Sequence, residues 1–365
     1  MGVGEARSWR LLASLGLAAA LLAACSGGAS RSAPAPAPPS GAGGGTTASA
    51  PAASTTAAPP ALIPAKVAYT TIAAVQAPFW IAYDAGYFRE QGLDVSDMTR
   101  VEPGATLLAA LHNGDLDVVA AGGTSLVLGN LQGLETMIVG STLHIFEDAI
   151  SVNPEIKTVE QLRGKTIGVS RLKAISDTAA RVALERLGLR SDVDVFYRGT
   201  GGNAESLAAL QQGSVDGASI SVPALFKAES LGFPTLVDIT GMHIAYANGT
   251  IGTTKGTINS RPDVVERVLK ATAQATARFK SDPDYAEQIV GKYTDIQDPE
   301  ALKGTVRVYI PIFTVDIYAE RASVQAVLDN EENPAARTAT VDDVTDYRFA
   351  EKLRQSGFYD TLPVR

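Results

Sequence analysis

One ten-residue stretch occurs twice in this chain, 99 positions apart. Leu108-Ala109-Ala110-Leu111-His112-Asn113-Gly114-Asp115-Leu116-Asp117 is matched by Leu207-Ala208-Ala209-Leu210-Gln211-Gln212-Gly213-Ser214-Val215-Asp216, and the shared pattern is LAALxxGxxD. It predicts the end of an amphipathic helix, a glycine C-cap with positive φ, and then a buried strand. Those strands are expected at Val118–Ala121 and Gly217–Ile220. The same offset aligns Lys66-Val67-Ala68-Tyr69 with Lys165-Thr166-Ile167-Gly168, each the start of a short strand. Each strand leads into a helix, near Pro78–Tyr87 and Ser176–Leu187, that closes on Gly92-Leu93 or Gly188-Leu189. A second strand follows in each copy, near Asp94–Met98 and Val193–Tyr197, then a glycine-containing loop and the LAAL helix. Each copy thus reads strand–helix–strand–helix–strand, which predicts parallel α/β sheets with right-handed crossovers and two similar lobes.

Residues 240–365 are mostly helical in pattern. Ser260-Arg261-Pro262-Asp263 resembles a capped helix start, and Val264, Val268, Leu269, Ala275 and Phe279 recur at helical spacing before Asp282-Pro283. With little sheet of its own, this segment is expected to pack back on the first lobe.

The N-terminus reads as an address. Arg7 and Arg10 precede a run of 14 small or apolar residues, Leu11 to Ala24, too short for a comfortable bilayer span and suited to a signal peptide. The run ends Leu22-Ala23-Ala24-Cys25, which resembles the lipobox of bacterial lipoproteins, so Cys25 is the expected lipidation site. The rival reading is an ordinary secretory signal with an incidental cysteine. From Ser26 to Pro60 every residue except Arg31 is Ser, Gly, Ala, Pro or Thr, a composition that cannot bury enough apolar area to offset ordering. Residues 1–24 are therefore expected to be a signal peptide and 25–62 a lipidated cysteine and disordered tether.

Composition removes several function classes. The N-terminal 62 residues hold Arg7, Arg10 and Arg31 against Glu5, so the remainder carries 28 basic and 38 acidic side chains. That balance argues against a protein that tracks nucleic acid. The single cysteine excludes an internal disulfide framework and a cysteine-rich zinc site. No GxSxG, HExxH or Walker A sequence occurs, and no two of the histidines stand near metal-ligand spacing. Neither an enzyme, a cofactor nor a metal site is expected.

Gly86-Tyr87-Phe88-Arg89-Glu90-Gln91-Gly92-Leu93-Asp94-Val95, Asn113–Asp117, Leu162–Val169 and Gln212–Asp216, in that order and behind a lipobox, resemble a particular family. It is the solute-binding lipoproteins of the nitrate/sulfonate/taurine and thiamine-precursor group, which serve ABC importers. The resemblance spans about residues 63–360. It implies a two-lobed, type II periplasmic-binding-protein-like α/β fold, each lobe a parallel or mixed sheet flanked by helices, with ligand in the cleft between them. Lobe 1 is expected from 63–148 plus 240–365 and lobe 2 from 149–239, with hinges near Ser141–Asp148 and Val237–Gly241.

The residues point to the same place, because ligands of open α/β sheets sit outside the carboxyl ends of the strands, near helix N-termini. Lobe 1 offers Thr70, Thr71, Phe79, Trp80, Gly123, Thr124 and Ser125, together with Gly104 and Thr106. Lobe 2 offers Ser170, Ser176, Asp177, Asn203, Ser219 and Ser221, and His243 follows the return to lobe 1. Trp80 fits a ligand-stacking wall and an ordinary core position equally well. Gly122-Gly123-Thr124-Ser125 suits cleft chemistry or a structural turn, and Ser176 and Asp177 suit helix caps as well as ligand contacts. Arg171, Lys173 and Arg198 read as solvated surface charge. Gly199-Thr200-Gly201-Gly202-Asn203-Ala204 fits a dinucleotide fingerprint, but as a lone match that the resemblance explains better.

The expected function is capture of a small solute, anionic or heterocyclic with a sulfonate-, nitrate- or taurine-like anion favoured, by lobe closure. The expected partners are an ABC permease and its ATPase, and the membrane through the lipid anchor, with the protein a monomer on the outer side of the bacterial cell membrane. Alternatives are a tethered sensor domain for a signalling partner and binding of an aminopyrimidine.

Overall fold

The computed structural model describes residues 61–363. Cys25, the signal-like run and the tether up to Pro60 lie outside the described residues. In chain order the strands are β1 (Ile63–Pro64), β2 (Val67–Tyr69), β3 (Leu93–Asp94), β4 (Thr99–Arg100), β5 (Val118–Ala121), β6 (Thr136–Ser141), β7 (Asp148–Val152), β8 (Lys165–Val169), β9 (Val195–Gly199), β10 (Gly217–Ser221), β11 (Thr235–Asp238) and β12 (Thr250–Thr254).

Two five-stranded sheets result, ordered β4-β2-β5-β12-β6 and β11-β7-β10-β8-β9. Moving β2, β4, β5 and β6 by the repeat offset lands on β8, β9, β10 and β11, so the sheets correspond strand for strand when one is read backwards. The position beside the outermost strand breaks the internal repeat. There β7, which follows lobe 1 in sequence, enters the lobe 2 sheet, and β12, which follows lobe 2, returns to the lobe 1 sheet. Both run antiparallel to their neighbours, whereas β2–β4, β2–β5, β8–β9 and β8–β10 are parallel. The sheets are therefore mixed, and the C-terminal segment contributes one strand to lobe 1 that helical periodicity alone does not predict.

The repeated motif closes each unit in the same way. Gly114 and Gly213 end their helices at φ of +74° and +68°, a conformation that a side chain would strain. The aspartate three positions on bonds back to the first strand: Lys66 N donates to Asp117 (2.7 Å) and Thr166 N donates to Asp216 (2.9 Å). Asp117 also accepts from Arg261 at 2.6 Å, which fixes the start of the C-terminal helices on lobe 1. Those helices cover that lobe. The 20-residue helix Pro262–Ser281 buries Val264, Val268, Leu269, Ala275 and Phe279 against the helix Ala77–Asp84.

The chain crosses between lobes twice, through residues 142–147 and 239–249, and the two crossings pair with each other. Ile145 bridges Ala245, Tyr246 N donates to His144 O at 2.8 Å, and the rings of Phe146 and Tyr246 stack at 4.2 Å. Behind this ribbon one apolar cluster runs continuously from Ala68 and Val119 of lobe 1 to Ile150 and Ile167 of lobe 2.

Candidate functional site

A cleft of about 1070 Å³ opens between the lobes at the carboxyl ends of their parallel strands. That is the size of a small-molecule site. Lobe 1 lines it with the loop after β2 (Thr70 to Ala73), the loop after β4 (Arg100, Glu102, Pro103) and residues 294–301. Lobe 2 contributes the loops after β8, β9 and β10, and Glu147 and Asp148 form the floor where the first crossing enters β7.

Six of the residues expected from sequence meet here: Thr70, Thr71, Ser170, Ser176, Asn203 and Ser221. Their hydroxyls and amide already hold the loops in place. Ser176 Oγ accepts from Ser170 N (3.0 Å) and shares a hydrogen bond with Ser170 Oγ (2.8 Å). Asn203 Nδ2 donates to Ser221 Oγ at 2.8 Å, joining two lobe 2 loops. Across the cleft Thr70 Oγ1 donates to Ala120 O (3.2 Å), and Gln76 Nε2 donates to Thr71 Oγ1 (3.3 Å).

The other expected residues lie elsewhere. Phe79 and Trp80 are core residues beneath lobe 1, 2% and 0% exposed. Trp80 stacks on Tyr293 of the C-terminal helices at 4.8 Å and meets the edge of Tyr69. Gly123, Thr124 and Ser125 open a helix away from the cleft lining; Gly123 packs against Ala247 and Thr124 Oγ1 bonds Tyr246 OH at 2.9 Å. Asp177 is a helix-start residue, accepting from Lys173 N (2.7 Å) and Arg181 Nε (2.7 Å). Ser219 is fully buried in β10. His243 stands exposed in a left-handed turn at φ 47°, outside the cleft lining. Arg171, by contrast, does line the cleft, while Lys173 pairs with Glu332 and Arg198 bonds Ser214 O.

Sequence reasoning missed Glu147 and Asp148. Two adjacent acids inside the apolar run Ile145–Val152 were the available signal, since charged residues are almost never fully buried unless paired. Glu147 and Asp148 are 7% and 4% exposed. Asn248 Nδ2 donates to Glu147 Oε2, while no hydrogen bond reaches the Asp148 carboxylate among the described residues. Burial pushes Asp148 up to about 7 and Glu147 well above the usual carboxylate range, Glu147 further because Asp148 stands beside it. The Tyr309 hydroxyl behind them is also pushed up, by burial and then by the two acids.

Among the described residues no group of three His, Cys, Asp or Glu is placed to hold a metal ion, and no helix is long and apolar enough to cross a membrane. The arrangement can enclose a small polar molecule between two lobes joined by a paired ribbon.

The model of the family described as NMT1/THI5 like matches residues 73–286. A search of curated proteins finds no match. Similar solved structures include the alkanesulfonate-binding protein of Xanthomonas axonopodis pv. citri bound to MOPS, with 18% identity, TM-score 0.60, and 79% of this chain covering 100% of that one. The periplasmic nitrate-binding protein of Synechocystis aligns with TM-score 0.66 and 13% identity, over 83% of this chain and 92% of that one. A DszB structure in complex with biphenyl-2-sulfinic acid aligns with TM-score 0.60 and 15% identity, over 81% of this chain and all (100%) of that one. These likenesses show a periplasmic-binding-protein fold.

Proposed function

Since the chain belongs to the NMT1/THI5-like family, we propose that it is the extracytoplasmic solute-binding component of an ABC importer. It captures a small polar solute by closing its lobes and delivers it to a permease and ATPase. The observation that carries this reading is the cleft itself: strand-end loops of both lobes face one cavity, and the described chain passes between the lobes at two crossings. A ligand touching Thr70 and Thr71 on one side and Ser170, Ser176, Asn203 and Ser221 on the other makes its full set of contacts only when the lobes close. Binding then shifts the population toward the closed form. Exterior location and tethering rest on the signal-like N-terminus and Cys25. The fold neighbours named for alkanesulfonate and nitrate support a small polar ligand for this cleft.

Lys303, exposed beside the lining residue Ala301 of lobe 1, and Leu172, exposed beside Arg171 of lobe 2, are suitable for attaching a fluorescent donor and acceptor. With residues 61–365 so labelled, a panel of alkanesulfonates, taurine, nitrate, bicarbonate, aminopyrimidines and aromatic acids is expected to contain a solute that raises energy transfer saturably. Saturable binding with unchanged transfer, or no response across the panel, would sink the receptor reading.

A further inference from the structure

The cleft is acidic where it is deepest. Its three basic residues, Arg100, Arg171 and Lys227, stand exposed at the rim, and Arg100 is paired with Glu102. The buried ionisable groups of its lining are Glu147 and Asp148. Two of the lobe 2 helices that start at the cleft carry an acid in their first turn: Asp177 in helix Ile175–Arg186, and Glu205, whose carboxylate lies against Gly202, in helix Asn203–Gln211. Their partial positive charge is thereby answered by the protein's own acids.

Asp148 is the group without a counterpart. It opens β7 opposite Ser221, whose hydroxyl accepts from Asn203, so carboxylate, hydroxyl and amide converge on one spot of the floor. The carboxylate is almost fully buried, lines the cavity and receives no hydrogen bond among the described residues. Its oxygens keep access to the cavity, where a charge-assisted donor can reach them. Among the hydroxyl-bearing loops, Ile72, Ile175, Val222, Pro223 and Phe226 add apolar surface to the walls.

Resting on the receptor reading above, we propose that the solute carries a protonated nitrogen group (an ammonium, amidinium or protonated ring nitrogen) that docks on Asp148 and Glu147. Its apolar or ring portion lies against Phe226 and Pro223. Any acidic group on the same molecule points to the rim, toward Arg171 and Lys227. An unaccompanied anion at the floor would meet two acids and no buried cation.

The test compares matched probes of opposite charge: butylamine, benzamidine and 4-aminopyridine against butanesulfonate and benzenesulfonate. Thermal shift and calorimetry are run on residues 61–365, on Asp148→Asn, and on Asp342→Asn, which makes the same charge change on the far surface. The expected result is a saturable shift with at least one cation, weakened about tenfold or more by Asp148→Asn and unaffected by Asp342→Asn. Asp148→Asn is nearly isosteric, so a parallel urea curve checks that it folds. Sulfonate binding that Asp148→Asn leaves equal or tighter overturns the proposal while the receptor reading stands. Absence of any cation-induced shift also overturns it. The receptor reading fails separately, if the lobe-to-lobe transfer stays flat for every solute.

Discussion

Asp148→Asn should stabilise the free protein, and by an amount that depends on pH. In the folded chain Asp148 titrates near 7 because burial disfavours the charged form; its ordinary value is 3.8. Below pH 3.8 both folded and unfolded chains hold the proton, and the group costs nothing. Between that value and about 7 the unfolded chain releases its proton while the folded one retains it, so stability falls as pH rises. Above 7 both are ionised and the cost levels off at about 4 kcal/mol, the shift converted at 1.36 kcal/mol per unit. An amide at this position keeps the shape and has no such pH term, although burying it has its own smaller desolvation cost. The expected gain of Asn over Asp is therefore near zero at pH 4 and about 2–4 kcal/mol at pH 8. Urea unfolding of parent and variant from pH 4 to 8 measures it directly. His144, whose imidazole is held below its usual range mainly by burial, gives a slope of the opposite sign as pH falls, but it is common to both proteins and cancels in the difference. A difference that is flat with pH, or a variant less stable at pH 8, would refute the reasoning. The floor carboxylate would then be solvated or paired, and its suitability as a dock for a nitrogen cation would be gone.

Three further outcomes follow from where the other residues stand. Trp80→Ala should cost about 3–5 kcal/mol of stability by opening a core cavity beside Tyr293, whereas a ligand-stacking wall would lose affinity with stability intact; denaturation and binding curves separate the two. Gly123→Ala should destabilise by about 1–3 kcal/mol, because its Cβ would stand 2.5 Å from the Ala247 carbonyl oxygen, and backbone cannot move aside as a flexible side chain can. Glu332→Gln removes a bridge to Lys173 whose two side chains are 70% and 73% exposed, so the unfolding midpoint in urea should stay where it is.

What the sequence disclosed and what it withheld divide along the repeat. Residues that occur in both copies could be read twice, so the strands β2, β5, β8 and β10, the glycine caps and the hydroxyl-bearing loops after β2 and β8 were all legible. The errors lie where one copy meets something outside the repeat. Trp80 reads from sequence as wall or core alike, although its counterpart by offset, Ala179, is a buried alanine. The C-terminal helices, present on lobe 1 alone, place Tyr293 over its ring. The crossing strands β7 and β12 are also outside the repeat: Asp148–Val152 and Thr250–Thr254 are short runs without long-range periodicity, and their antiparallel pairing is set by tertiary contacts with β10 and β5. The acidic floor was missed for the same reason. It is built at the one place where the chain leaves its first copy and enters its second. That location also gives it functional reach: a group held at the junction touches a segment that joins the two lobes. The hydroxyl loops, inherited by both lobes, make a cleft; the unrepeated pair Glu147 and Asp148 decides what the cleft prefers to hold.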